Sequence, residues 1–294
     1  MLQESSAQPV IAIVGAGAVG GLIAALLDRA GVNVVAVVRP GTARAIAADG
    51  LTIRSAQFGD GVSRVRVETE IPAGANVIVA TKTLALPAVR DAIRAAGPVE
   101  VVSLLNGIEH MTALRSAAPR ALVAGASIAV ETTRLAPTVI EHRSPFLRLT
   151  VPAAAAESEV TTAWRLAGLS VTVGGTETEV LWSKLRFLAP MALLTAFWAE
   201  PIGQALSHDG TLTAGLLDEV AAITTQAGVP TRGADVLGAL TAMPPTMRSS
   251  LQNDLEHGHQ NELDAIGGAL IRRGVELGAE TEVLRRMVGD LAGR

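Results

Sequence analysis

The chain has 294 residues, 49% hydrophobic and 18% charged, a balance that supplies a generous core and excludes disordered and collagen-like classes. Its 24 basic against 28 acidic residues leave a formal charge of −4, so there is no basic footprint for nucleic acid or an anionic membrane, and any phosphate must be bound locally. Cysteine is absent, which removes disulfides, Cys-ligated zinc, iron–sulfur clusters and a thiol nucleophile; redox chemistry would need a borrowed cofactor.

Two domains are expected at this length, 1–176 and 177–294. Pro9 to Leu27 carries no charge, yet Gly15, Gly17, Gly20 and Gly21 crowd its middle and Met1 to Pro9 lacks a basic leader region. The apolar stretch Phe187 to Ala199 is too short to span a bilayer and contains Pro190. The reading is therefore a soluble, cytoplasmic protein. Apolar runs at Val10–Val14, Val34–Val38, Val77–Ala80, Val99–Leu104, Leu122–Ala126 and Val171–Val173 predict buried strands. Helix-length segments Val19–Ala30, Leu84–Ala96, Met111–Ala117 and Glu157–Ala167 separate them, the alternation of a doubly wound parallel sheet. Leu51–Ile53 with Val62–Val67, and Thr138–Glu141 with Leu147–Val151, read as antiparallel additions. From Glu177 onward the periodicity is helical, over Glu179–Phe197, Gly210–Ala227, Ala234–Thr241, Ser249–Leu277 and Thr281–Leu291. The fold class is thus α/β: an N-terminal Rossmann-type doubly wound sheet followed by an all-α C-terminal domain.

The segment Gly15-Ala16-Gly17-Ala18-Val19-Gly20 follows the first strand directly and opens a helix. In that context GxGxxG reads as a dinucleotide loop. Gly15 makes the tight turn, Gly17 admits the pyrophosphate, Gly20 allows close helix–strand packing, and the helix N-terminus faces the phosphates. The second strand ends in Arg39, about 20 residues past the glycines, where an NAD enzyme usually places Asp or Glu. A cation there, helped by Arg44, suits a ribose 2′-phosphate, so NADP(H) is the expected cofactor.

Of the 24 basic residues only Lys82 and Lys184 are lysines; the rest are arginine. Arginine stays charged in proteins, whereas a buried lysine can give up or take a proton. Hydride addition to a ketone generates an alkoxide that needs a proton donor or a positive charge within hydrogen-bond reach, and Lys184, on a mostly apolar helix, can supply both. Chance survival of two lysines in an arginine-biased chain, with Lys184 as a snorkelling surface cation, is the competing reading.

Taken together, GAGAVG at 15–20, Thr81-Lys82 after a strand, LLNGIEH at 104–110, LWSKL at 181–185 and SSLQNDLEHGHQNELD at 249–264 make the chain resemble the ketopantoate reductase (2-dehydropantoate 2-reductase) family nearly end to end. The resemblance implies an NADPH-binding Rossmann domain, a helical substrate and dimerisation domain, and reduction of a 2-oxo acid to a 2-hydroxy acid. It gives Lys184 the part of catalytic lysine and Glu262 that of the acidic partner. Ser250 becomes a substrate ligand, Asn106 a loop residue near substrate and nicotinamide, and Thr81 and Lys82 part of the cofactor loops. Where the family offers asparagines to the substrate, four and eight positions past the lysine, this sequence has Leu188 and Ala192, and Ile202 stands at a third such place. A pocket lined by Leu188 and Ala192 should turn from ketopantoate toward a bulkier, more apolar substrate.

Other constellations are weaker. His257 and His259 are read two apart on different faces of one helix, with no metal site completed. Gly125 to Ala129 lacks the second glycine of a nucleophile elbow, and Trp182 and Trp198 read as packing residues. The expected activity is NADPH-dependent reduction of a 2-oxo acid or related ketone, with imine reduction by the same hydride geometry, or a catalytically silent NADP-binding sensor, as alternatives. The expected partners are a small-molecule carbonyl substrate and, as assembly, a homodimer, with no nucleic acid and no membrane.

Overall fold

The computed structural model describes residues 9–294; the part of the N-terminal reading that falls on residues 1–8 lies outside them. Four buried apolar residues form β1 (Ile11–Val14), and a glycine turn leads into α1 (Ala18–Arg29). Then follow β2 (Val34–Val37), α2 (Pro40–Asp49), β3 (Leu51–Ser55), β4 (Gly61–Ser63), β5 (Arg66–Glu68), β6 (Asn76–Val79) and α3 (Leu86–Ala96). After these come β7 (Glu100–Ser103), α4 (His110–Ala117), β8 (Leu122–Gly125), β9 (Ser127–Ala129), β10 (Thr132–Ala136), β11 (Val139–His142) and β12 (Arg148–Val151). The sheet-bearing part closes with α5 (Glu159–Leu166) and β13 (Ser170–Val173). The remainder is helical: α6 (Glu177–Trp198), α7 (Ile202–His208), α8 (Gly210–Gln226), α9 (Gly233–Thr241), α10 (Ser250–Glu256), a π-helical turn at Asp264–Gly268, α11 (Ala269–Leu277) and α12 (Glu282–Ala292).

Six strands pair in the order β5-β2-β1-β6-β7-β8, all parallel. Strands β1, β2, β6 and β7 are buried at every position; β1 and β2 therefore read as unbroken apolar runs rather than alternating ones, while β6 and β7 bury Asn76, Glu100 and Ser103 beside their valines and isoleucine. The order in which strands are added reverses between β1 and β6, the switch point at which open α/β sheets bind ligands beyond their carboxyl ends. Helix α1 touches β1 and β2 on one side and β3, β4, β10 and β11 on the other, so it is apolar nearly all round. That double burial accounts for the charge-free N-terminal stretch.

The chain divides into two compact units. The first takes Met1–Thr81, Ala85–Leu105 and His110–Glu177; the second takes Thr178–Arg294 together with two short segments, Lys82–Leu84 and Asn106–Glu109. In the first unit the buried Glu100 carboxylate accepts from the backbone N–H groups of Glu159 and Val160, capping α5. In the second, Glu219 does the same for Val283 and Leu284 at the start of α12. Each carboxylate satisfies two donors that a helix start leaves open. Among the described residues one helix, α6, is long and apolar enough to cross a membrane; 67% of that window is buried inside the protein, as befits a core helix.

Several expectations need correction. Strand β13 forms where an apolar run was read, but its residues are mostly exposed. Only the first half of Val62–Val67 pairs antiparallel with β3; Arg66–Glu68 instead joins the main sheet beside β2. Strands β11 and β12 do not pair with each other: β11 lies between β10 and β3, and β12 between β9 and β13. The intervening turn redirects the chain, with Ser144 Oγ donating to the Phe146 carbonyl at 2.6 Å and His142 Nε2 within 3.1 Å of the same hydroxyl. The long helix read over Ser249–Leu277 is broken, because Gly258 takes a left-handed φ of +63° and ends α10. Helix α7 was not anticipated at all.

Candidate active site

In the first unit the glycine turn is built for close approach. Gly15 has φ +96°, and a Cβ there would lie 2.7 Å from the Thr81 methyl, so the turn after β1 and the end of β6 are in contact. At Gly20 a Cβ would lie 1.9 Å from the Gly15 carbonyl oxygen, which demands glycine for the helix to begin so near the strand. Over Gly17 the space is open, and α1 starts there with no side-chain cap and no acidic residue in its first turn. Its leading N–H groups are therefore available to an anion. Ala16 is buried, while Ala18 and Val19 are half-buried at the helix start.

The Thr81 hydroxyl is buried beside this turn without a hydrogen-bond partner, an orphaned polar atom of the kind a bound ligand satisfies. Open glycine, uncapped helix and unpaired hydroxyl together fit a dinucleotide. Arg39 is exposed at the end of β2, as the N-cap residue of α2, and Arg44 is exposed one turn on. Sequence reasoning missed Arg134 on β10. Its guanidinium donates to the carbonyls of Ala136 and Pro137, and its pKa is lowered by desolvation and further by the charge of Arg39. Two cations thus act on one another there, a pairing that an anion would relieve.

The second unit gathers the remaining candidates. Glu262 lies in the turn that follows the broken α10, not in a long helix as expected, and this placement lets donors surround its carboxylate. Oε1 accepts from the Thr83 backbone N–H at 3.1 Å and from the Thr83 hydroxyl at 3.0 Å; Oε2 accepts from the Asn106 amide at 2.9 Å. Lys184, partly buried on α6, has its pKa lowered by desolvation to about 8, with the Glu262 charge opposing the shift. An ammonium of that acidity can hand over a proton near neutral pH, which an arginine cannot.

Lys82 is engaged on the same side of the constellation, its ammonium 2.8 Å from Asp254 and 2.8 Å from the Gln260 carbonyl. The loop that carries Asn106 is itself pinned. Gly107 has φ +86°, with the Ala265 carbonyl oxygen 2.5 Å from where a Cβ would stand. Glu109 pairs with Arg272, which also bonds Asp264, and these hydrogen bonds raise the Arg272 pKa.

The substrate candidates are more dispersed. Leu188 is partly buried one turn beyond Lys184, but Ala192 is only 1% exposed and belongs to the helical core. Ser250 is exposed as the first residue of α10, next to the buried Ser249, whose hydroxyl meets that of Thr195 at 2.7 Å. Trp182 is buried in the core, and Trp198 stacks on His208 at 4.5 Å. His257 and His259 do not lie on two faces of a helix: beyond Gly258 the chain folds back and their rings stack 5.6 Å apart. No group of three His, Asp or Glu able to hold a metal occurs among the described residues.

A Rossmann sheet with an open glycine turn, in a chain whose helical part carries an acidified lysine, falls in the class of NAD(P)-dependent oxidoreductases. Comparison with known proteins narrows this. The family described as ketopantoate reductase PanE/ApbA matches residues 11–155 and its C-terminal counterpart matches residues 178–293, and the chain belongs to that family. The chain is 28% identical over 301 residues to the uncharacterized oxidoreductase YkpB of Bacillus subtilis (strain 168), covering 95% of this chain and 96% of the relative. A PanE/ApbA family ketopantoate reductase from Ralstonia eutropha JMP134 superposes with a TM-score of 0.86 at 27% identity, over 96% of this chain and 97% of that one. D-mandelate dehydrogenase, solved with NADH and anilino(oxo)acetate, shares the fold at a TM-score of 0.84 and 18% identity, over 97% of both chains.

Proposed function

We propose that the protein is an NADPH-dependent reductase of 2-oxo acids whose side chain is more apolar than that of ketopantoate. Residues 1–176 serve the cofactor and residues 177–294 the substrate. The observation that carries the reading is the acidified Lys184 with Glu262 nearby, the latter held by Thr83 and Asn106. The glycine turn, the uncapped start of α1 and the Thr81 hydroxyl would hold the dinucleotide, which would supply the hydride that carbonyl reduction needs. Lys184 then delivers its proton to the carbonyl oxygen, and its positive charge offsets the negative charge that grows there before transfer. Glu262 keeps a fixed negative charge near the ammonium, limiting how far burial acidifies it.

Arg39, with Arg134 beside it, supports a 2′-phosphate and hence NADPH over NADH. Leu188, on the helical face of Lys184, supports an apolar substrate; the aromatic 2-oxo compound bound by D-mandelate dehydrogenase indicates that the fold can receive one. A kinetic panel of branched, aromatic and hydroxylated 2-oxo acids, read as NADPH oxidation, tests the proposal. Apolar members should give a higher kcat/KM than ketopantoate. Ketopantoate above all of them would overturn the substrate assignment, and no oxidation with any member would overturn the activity.

A further inference from the structure

Among the described residues Glu262 is the carboxylate whose charge opposes the desolvation of Lys184, and its orientation depends on a residue that no motif singled out. Thr83 opens a short 3₁₀ turn, Thr83–Ala85, directly after Lys82. Its N–H and its hydroxyl both point at Oε1 of Glu262, at 3.1 and 3.0 Å, across 179 residues of sequence. The Asn106 amide takes Oε2 at 2.9 Å. Three donors on two oxygens fix both the position and the plane of the carboxylate. Only the Thr83 hydroxyl among them can be removed while the backbone, the Asn106 loop and the carboxylate itself remain as they are.

Other charged groups on the elements meeting here are engaged elsewhere, among them Glu177 of α6 with Arg115 and Glu256 of α10 with Arg248. Lys82 is bound to Asp254 of α10, His259 lies 3.9 Å from the same aspartate, and Arg272 of α11 is bound to Glu109 and Asp264. On α6 itself, Arg186 is turned to the Pro230 carbonyl and the Thr231 hydroxyl. None of these is free to replace Glu262 should its carboxylate lose its place.

We infer that Thr83 is a positioning residue of the active site: its hydroxyl holds the Glu262 carboxylate where that charge keeps Lys184 protonated enough to act as the proton donor. The inference rests on the reading of Lys184 as that donor, and it concerns a second role, how the donor is tuned. Thr83→Val keeps the side-chain shape and removes the hydroxyl. The carboxylate is then held by two donors instead of three and faces a methyl group, so its hold on the ammonium weakens and desolvation acts on Lys184 with less opposition. The titration midpoint of Lys184 should fall.

Because the chain has only two lysines, ¹³Cε-lysine NMR of the cofactor-free protein gives two titrating signals, and Lys184→Met identifies the one that matters. In the parent the Lys184 signal should titrate near 8. In Thr83→Val the midpoint should drop by about half a pH unit, so kcat should be little changed near pH 7 and lower by about threefold well above pH 8, with NADPH affinity unchanged; Thr83→Ser should restore both. Thr83→Ala, which cannot clash, should behave as Thr83→Val does and decides the matter if the valine variant is poorly folded. An unchanged or raised midpoint in the Val and Ala variants refutes the inference, whatever happens to kcat, since loss of rate alone is what a merely structural threonine would give. If the midpoint falls as expected but the parent turns over no 2-oxo acid, the tuning role stands and the proposed activity fails.

Discussion

Replacing Lys184 by methionine should make the protein more stable and inactive at once. Burial lowers the Lys184 pKa from the ordinary 10.5 to about 8, so the folded protein carries an ammonium it would rather discharge. That difference corresponds to an upper bound on the order of 3 kcal/mol, since each tenfold change in proton affinity is worth about 1.4 kcal/mol and residual solvent access reduces it. Methionine is of similar length, unbranched and apolar, and the Glu262 carboxylate keeps its three donors without the lysine. Below pH 8 both the folded and unfolded parent bind the proton, and the folded state bears the full penalty. Between pH 8 and 10.5 only the unfolded state holds the proton, so the stability of the parent rises with pH across this window. Above 10.5 neither holds it and the penalty is gone. Lys184→Met should therefore melt higher than the parent by about 5 °C at pH 6.5, with the gap closing between pH 8 and 10.5. Differential scanning calorimetry of both proteins across pH 6 to 11 makes the comparison. A variant less stable than the parent at pH 6.5, or a gap that does not vary with pH, would refute a desolvated ammonium at this position.

Three further outcomes are expected. Arg39→Asp should weaken NADPH by about 1.5–3 kcal/mol relative to NADH, the value of one charge-assisted pair, as measured by fluorescence titration; equal affinity of the parent for the two cofactors would remove the basis for this. Leu188→Asn should shift the ratio of kcat/KM toward ketopantoate and away from apolar 2-oxo acids, because each buried methylene contributes about 0.8 kcal/mol and an amide offers the substrate hydroxyl a partner; a ratio that does not move would show that Leu188 does not face the substrate. Gly107→Ala should reduce both stability, by at least about 1 kcal/mol, and kcat, since a Cβ 2.5 Å from the Ala265 oxygen at φ +86° displaces the loop that carries Asn106; a variant with the Tm and kcat of the parent would contradict the packing.

What the sequence discloses is what short-range physics determines. The β1 strand, its glycine turn and α1 could be read because a buried parallel strand is an unbroken apolar run and the close turn admits only glycine. Lys184 stood out because arginine has replaced nearly every other lysine. The partners of these residues could not be read, since Thr83 meets Glu262 across 179 residues, Asn106 meets it across 156, and Lys82 meets Asp254 across 172. The same limit explains the strand-pairing errors: alternation predicts that 139–142 and 148–151 are strands, but it carries no information about which neighbour each will have. The break in the long helix had a local signal, Gly258, that an otherwise continuous helical pattern masked. That break brings Gln260 and Glu262 to Lys82 and Thr83.

The most direct test of Lys184 as the proton donor is turnover of Lys184→Met on the best apolar 2-oxo acid with NADPH, alongside NADPH affinity and a melting curve. Turnover should fall by about a hundredfold or more, the scale of a positioned acid, while the variant stays folded and binds NADPH as the parent does. A folded Lys184→Met that reduces the substrate at near-parent rate would contradict the account and leave Lys184 a half-buried cation of the helix.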